Sequence, residues 1–308
     1  MKKYFYLLLL LLPLNLTAQD KENEIHLLKN NFNNITVPFQ LIENLIVIDN
    51  VVVNQKKGKV VFDTGNQSYF AANAEFFIEE IMEKNVYNKT DTAQGITGNM
   101  PTVYSIVVDS VMIGDFCFSA MDGVSFNMKP IRMALGKDFL GFIGYGIMKE
   151  VECAIDYKNK LLHLSRLDAE GNPVEKPLYN KKELFSFTSE KGSPIAQLYF
   201  GGKTLDFFLD TGAPKNSIDS GAVIGIDSNY LKFTGITDAV TGGDGGYMIT
   251  NDAVMKQLSI KDDVFTNMPT NVYKFFNKSV SNATLGYPFF SQKIFVFNFK
   301  KNKIYITE

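Results

Sequence analysis

The sequence predicts a mainly β protein built as two similar lobes, and three observations carry that prediction. The tripeptide Asp-Thr-Gly occurs twice, at Asp63-Thr64-Gly65 and Asp210-Thr211-Gly212, each time closing an apolar β-like run, Val60-Val61-Phe62 and Phe207-Phe208-Leu209. At ordinary residue frequencies one copy is expected about 0.05 times in a chain this long, so two by accident are improbable. Each copy is followed by an apolar-Gly-Tyr element, Ile143-Gly144-Tyr145 and Leu285-Gly286-Tyr287, at Asp-to-Gly separations of 81 and 76 residues. Both halves also close on a hairpin with a Lys-Asn-Lys turn, at 158–160 and 301–303. Repetition of a whole arrangement marks a duplicated module carrying one carboxylate per half.

The elements follow in order. Residues 1–18 have the form of an export signal: Lys2 and Lys3, an apolar stretch from Tyr4 to Leu14, and Leu16-Thr17-Ala18 as the cleavage site, so the mature chain is expected to start near Gln19. An uncleaved anchor is the competing reading, but the apolar run is well short of the roughly 20 residues that span a bilayer. No stable membrane span is expected, and the location implied is the periplasm or the cell exterior. Residues 19–36 are a polar lead-in, and 37–167 form the first lobe. There Leu45–Ile48, Val51–Val53 and Lys59–Phe62, with a turn over Gln55–Gly58, read as strands leading into the first motif. A helix is expected over Ala74–Lys84, where Phe76, Phe77, Ile81 and Met82 mark one face. One turn that could be helical follows Gly144, then the hairpin Val151–Tyr157 and Leu161–Leu164.

Residues 168–183 are polar, contain Gly171-Asn172-Pro173 and Pro177, and lack periodicity, as an interdomain linker does. The second lobe, 184–308, repeats the plan more compactly. Ile195–Phe200, a Gly201-Gly202 turn and Thr204–Leu209 make a hairpin ending at the second motif, and Ile294–Phe299 with Ile304–Ile306 make the closing one.

Composition excludes several functions. At 45 % hydrophobic and 21 % charged residues over 308 positions the chain is ordinary globular material, enough for two cores. A net charge of −2 without a Lys or Arg run offers nucleic acid no electrostatic footprint. Cys117 and Cys153 are the two cysteines. Export permits a disulfide between them, and two buried reduced cysteines acting as small apolar side chains are the equal alternative. With only His26 and His163 present, and neither Cys-x-x-Cys nor His-Glu-x-x-His, hydrolytic triads and zinc sites are poorly supplied.

The layout resembles the two-lobed aspartic proteases, pepsin-like in architecture, each lobe related to the retropepsins and to the exported aspartyl protease-like proteins of bacteria. The resemblance rests on both Asp-Thr-Gly motifs and on Phe142-Ile143-Gly144 and Thr284-Leu285-Gly286, the second opening on Thr, and it spans nearly all of the mature chain. It implies an acid-protease-like β-barrel fold and a monomeric aspartic endopeptidase acting on extended polypeptide, with no cofactor and no metal. Asp63 and Asp210 would face each other between the lobes and hold one proton, because like charges that close cannot both stay ionised. The ionised one takes a proton from an attacking water while the protonated one hydrogen-bonds the peptide carbonyl and then helps protonate the leaving nitrogen. By the same resemblance Thr64 and Thr211 brace the two loops across the interface. Gly65 and Gly212 let backbone approach the carboxylates, and Gly144 and Gly286 pack beneath.

Two features depart from that pattern or extend it. Active members usually place a hydroxyl after the motif as donor to the outer carboxylate oxygen, whereas this chain continues Asn66-Gln67-Ser68 and Ala213-Pro214-Lys215-Asn216-Ser217. A lost donor raises the dyad's pKa and moves the optimum towards weakly acidic pH or weakens activity, unless Asn66 supplies an amide donor. Two glycine-rich loops, Gln94–Asn99 with Gly95 and Gly98, and Thr241–Tyr247 with Gly242 and Gly243, read as flaps from both lobes or as hairpins that touch no substrate. The rival to a peptidase is a non-catalytic protein on the same fold that binds peptides or surface components. The altered residues after the motifs favour it; retention of both aspartates favours the enzyme.

Overall fold

A computed structural model describes residues 7–8, 26–27, 32–77, 89–90, 103–177, 179–189, 193–242, 247–275 and 281–307. Most of the export segment and of the lead-in lies outside them. The described chain is mainly β and duplicated. The inner strand of the first half, Lys56–Phe62, pairs parallel with Phe139–Ile143; that strand pairs antiparallel with Phe70–Asn73, which runs parallel to Phe116–Phe126. In the second half Lys203–Leu209, Ala283–Leu285, Asn216–Asp219 and Asp263–Tyr273 repeat the same succession of parallel, antiparallel and parallel pairings. These strands organise a nine-stranded sheet in the first lobe and an eight-stranded sheet in the second.

A six-stranded antiparallel sheet joins the lobes, in the order Lys181–Ser186, Lys303–Thr307, Phe295–Asn298, Val151–Asp156, Leu161–Arg166, Asn34–Pro38. The two closing hairpins meet there, with Cys153 opposite Phe297. All six residues of Val151–Asp156 are buried, as a strand covered on both faces must be. The main core cluster runs through the sheet from one lobe to the other, and Phe299 stacks edge-on against both Tyr145 and Phe187. Each such ring withdrawn from water contributes about 1.5–3 kcal/mol.

Several boundaries move. The lead-in gives way to a strand at Asn34, and the linker ends earlier, because Lys181–Glu183 already pair with Tyr305–Thr307. The first turn is the two-residue step Asn54-Gln55 rather than Gln55–Gly58. Both residues take positive φ (45° and 68°), the twist that lets Val53 pair directly with Lys56. Residues 74–77 are helical, as expected, and the rest of that segment lies outside the described residues. A further helix, Lys129–Leu135, buries Ile131 and Leu135, one turn apart, on the first lobe's sheet. The disulfide reading is corrected, for both cysteines are free. Cys117 lies half-buried in the first lobe's sheet, whereas Cys153 is buried in the six-stranded sheet, where burial raises its thiol pKa. Among the described residues no helix is long and apolar enough to cross a membrane.

Candidate active site

Each motif begins where its inner strand ends, and the neighbouring strand sets the depth. Asp63 N–H donates to the carbonyl of Ile143 (3.0 Å) and Asp210 N–H to that of Leu285 (2.9 Å), so the apolar residue before each glycine holds the aspartate's backbone. The chain then turns back: Tyr145 N–H donates to Asn66 O (2.8 Å) and Tyr287 N–H to Ala213 O (2.9 Å). Gly144 and Gly286 lie against these loops so closely that an added Cβ would collide with the carbonyls of Ser68 and Ala213 respectively.

The threonines lock the loops together. Thr64 Oγ1 donates to Leu209 O (2.8 Å) and accepts from Thr211 N–H (2.9 Å); Thr211 Oγ1 donates to Phe62 O (3.1 Å) and accepts from Thr64 N–H (3.0 Å). Each hydroxyl thus spends its donor and an acceptor on the opposite lobe, with both threonines fully buried. Two further ties cross beside them, from Asn44 Nδ2 to Pro214 O (3.3 Å) and from Gln67 Nε2 to Ser193 Oγ (2.5 Å). Composition could not reveal those two, because nothing local distinguishes such residues from other turn polar groups.

The carboxylates meet at this latch. Gly65 N–H donates to Asp63 Oδ1 and Gly212 N–H to Asp210 Oδ1, both at 2.8 Å. A Cβ on Gly65 would stand 2.5 Å from Asp210 Oδ1, and one on Gly212 equally close to Asp63 Oδ1. The glycines are therefore what lets each carboxylate lie against the other lobe's loop. Both aspartates are 1 % exposed. Burial pushes Asp63 up to about 6, against the pull of Asp210 and of the Gly65, Asn66 and Gly212 N–H groups. Burial, with the adjacent Asp63 charge, raises Asp210 well above the ordinary carboxylate range. One proton shared over a span of pH is the direct consequence.

Asn66 does not supply the missing donor. Its amide donates to Phe142 O (3.2 Å) and its Oδ1 accepts from the backbone and hydroxyl of Ser68, so among the described residues none outside the dyad hydrogen-bonds Asp63 Oδ2 or Asp210 Oδ2. Of the expected flap glycines, Gly95, Gly98 and Gly243 lie outside the described residues. Gly242 ends the strand Leu231–Gly242, which with Tyr247–Ile260 forms a long hairpin. The inner face of that hairpin, Val240 and Met248, packs on Ala213, Tyr273 and Phe275. Its stem therefore lies against the residue that follows the second motif.

Lys215 strengthens this junction and was not foreseen. It is largely buried, and its ammonium lies 3.2 Å from Asp252 and 3.6 Å from Asp238, one on each hairpin strand, and 3.5 Å from Asn271. His163 belongs to the six-stranded sheet, bonded through Nδ1 to Thr36 Oγ1 (2.9 Å). Among the described residues no group of three or more His, Cys, Asp and Glu side chains is placed to hold a metal ion.

No family model matches the chain, and no curated protein matches it. Among solved structures it is similar to the crystal structure of Basic 7S globulin from soybean, with TM-score 0.48 and 9 % identity over 89 % of this chain and 94 % of that one. At that level the likeness bears on nothing beyond itself. Membership of the aspartic protease family, which the sequence resemblance implied, is therefore corrected. Two tripeptides and two glycine elements cover too few residues to establish descent, and no comparison supplies the rest. The chemistry of the site has to be argued from its own geometry.

Proposed function

We propose that the chain is an aspartic endopeptidase that hydrolyses peptide bonds with a water activated between Asp63 and Asp210. The observation that carries this reading is the pair of buried carboxylates brought together across the lobes, each cleared by the other lobe's glycine and fixed by the Thr64–Thr211 latch. Asp63 serves as the base, and Asp210, whose proton the adjacent Asp63 charge helps retain, is the acid. Asp63 takes a proton as the water oxygen bonds to the peptide carbon, and Asp210 hydrogen-bonds the carbonyl oxygen as it gains charge. Collapse of the tetrahedral species breaks the C–N bond, and a carboxyl proton passes to the departing nitrogen. Extended polypeptide suits a cleft bordered by hairpin strands, where backbone pairing supplies affinity. The chain's predicted export signal supports a place of action outside the cytoplasm.

A second reading, binding of peptides or surface components without cleavage, is favoured by the outer oxygens of both aspartates, which no described residue outside the dyad hydrogen-bonds. Cleavage of a diverse peptide mixture from pH 3 to 8, followed by mass spectrometry beside Asp63→Asn, separates the two. A peptidase gives cuts that vanish in the variant, with a rate that rises as Asp63 ionises near pH 6 and falls once Asp210 loses its proton. A folded protein that cuts nothing at any pH overturns the peptidase reading, and peptide binding by that protein would then support the second. An optimum near pH 3 would contradict the upward push that burial exerts on both carboxyls.

A further inference from the structure

The duplication allows the wall beside each aspartate to be compared position by position. In the first lobe Ala71 pairs with Phe142 and with Val124, and Phe126 pairs with Asn73. In the second lobe the same places are held by Ser217 opposite Thr284 and Asn271, and by Tyr273 opposite Asp219. Ala71, Phe142, Val124 and Phe126 form one dry cluster under the helix Lys129–Leu135. Their counterparts Ser217, Thr284, Asn271 and Tyr273 are all polar. The fold does not require that difference, since the first lobe adopts it with hydrocarbon alone.

Three of these groups are buried without a partner: Ser217 Oγ, Thr284 Oγ1 and Tyr273 OH, and Thr250 Oγ1 joins them from the hairpin. Their residues are at most 7 % exposed. Ser217 stands near enough to Tyr273 to oppose the upward push of burial on the phenol, but not in a geometry that satisfies either hydroxyl. Asp210 is close enough for its charge to raise that same phenol's pKa. Thr250 lies two residues from Met248 on the hairpin face that packs over Tyr273 and Ala213. Each buried hydroxyl left unpaired costs about 1–3 kcal/mol, so four along one wall are a standing cost to the free protein that a matching ligand removes.

We propose that these hydroxyls form a polar side-chain subsite on the Asp210 side of the site, taking a neutral amide or hydroxyl side chain of the polypeptide, where the first lobe keeps only closed apolar core. The inference rests on the peptide reading of the dyad and names its preference. Hydroxyls both donate and accept, which suits Asn, Gln, Ser or Thr. The neighbouring Asp210 disfavours an acidic side chain there.

The first lobe supplies the test variants, Ser217→Ala, Tyr273→Phe and Thr284→Val. Peptides that differ only by Asn or Leu at the residue beside the scissile bond are compared as substrates of the wild type and as ligands, by calorimetry, of Asp63→Asn. The wild type favours Asn on one side of the bond, and each variant lowers the Asn-to-Leu ratio by about tenfold, the worth of one hydrogen bond. Unfolding midpoints of the unliganded variants stay level or rise, because an unsatisfied buried hydroxyl is removed. A fall in the midpoint would reveal a partner inside the protein, and an unchanged ratio would show that no ligand meets the wall; either result overturns the subsite. Selective binding of the Asn peptide by Asp63→Asn, without turnover by the wild type, upholds the subsite while removing the peptidase.

Discussion

At the scale of single residues the site runs against the stability of its own fold, and that conflict is measurable. Asp63 carries a pKa of about 6 in the folded chain against an ordinary 3.8. A folded-state pKa above the unfolded one means that the folded protein binds the proton more tightly. Below about pH 4 both states are protonated and nothing is lost; as pH rises from 4 to 6 the unfolded state ionises first, and folding stability falls and then levels off. At 1.36 kcal/mol per pKa unit the loss is about 2–3 kcal/mol at pH 7. Asp63→Asn keeps an oxygen for the Gly65 N–H and sheds the charge, so urea unfolding should show the variant more stable by about that amount at pH 7 and equal to wild type at pH 4. A variant equally or less stable at pH 7 would mean that the carboxylate is better solvated than its burial indicates. The threonines show the opposite sign. Thr64→Val or Thr211→Val strands a backbone N–H and a carbonyl of the partner loop, at about 2–4 kcal/mol. Thr→Ser keeps the hydroxyl and loses about 0.8 kcal/mol for one methyl group. Equal losses for Val and Ser would show that packing, not the latch, is what the residue contributes.

At the scale of elements, what was legible in the sequence is what leaves a local mark. The strands into both motifs, the Gly201-Gly202 hairpin and the two Lys-Asn-Lys hairpins announce themselves by apolar runs and by turn residues that tolerate positive φ, and they stand where expected. The first turn was misplaced by one step because Asn54 adopts φ 45° while the flexible-looking Gly58 does not turn at all; it sits in the strand opposite Val51, where any Cβ would strike the Asp138 carbonyl and Leu140. The helix Lys129–Leu135 was missed because its apolar positions are few and Pro130 falls in its first turn, which reads equally as a loop. Lys215 left no mark either, since its partners are 23 and 37 residues further along the chain. Its charge pins both strands of the hairpin to the loop of Asp210. Lys215→Met leaves Asp238 and Asp252 facing each other unneutralised, so hydrogen exchange at amides 237–241 and 247–251 should quicken by about tenfold or more and peptide KM should rise, while Lys215→Arg restores both. Unchanged exchange would detach the hairpin's position from the lysine.

At the scale of the whole molecule the question is whether two lobes can behave as one. Chains of this length commonly unfold domain by domain, and a polar segment at 168–183 invites that expectation. The structure opposes it. Lys181–Ser186 leaves the linker to pair with the chain's last strand, Val151–Asp156 of one half hydrogen-bonds Phe295–Asn298 of the other, and a single apolar cluster passes between them. The latch adds four hydrogen bonds that neither lobe can make alone. Calorimetry of the mature chain should therefore give one transition, with calorimetric and van't Hoff enthalpies in agreement. Residues 37–167 expressed alone should aggregate, because separation bares Val151–Asp156, a wholly buried strand, along one edge. Two resolved transitions would instead make the shared sheet a docking surface between independent units. The single transition is also what the chemistry needs: a dyad assembled from both halves works only while their spacing is held to a fraction of an ångström. A joint that loosened before the lobes did would dissolve the site at temperatures where each half still looked folded.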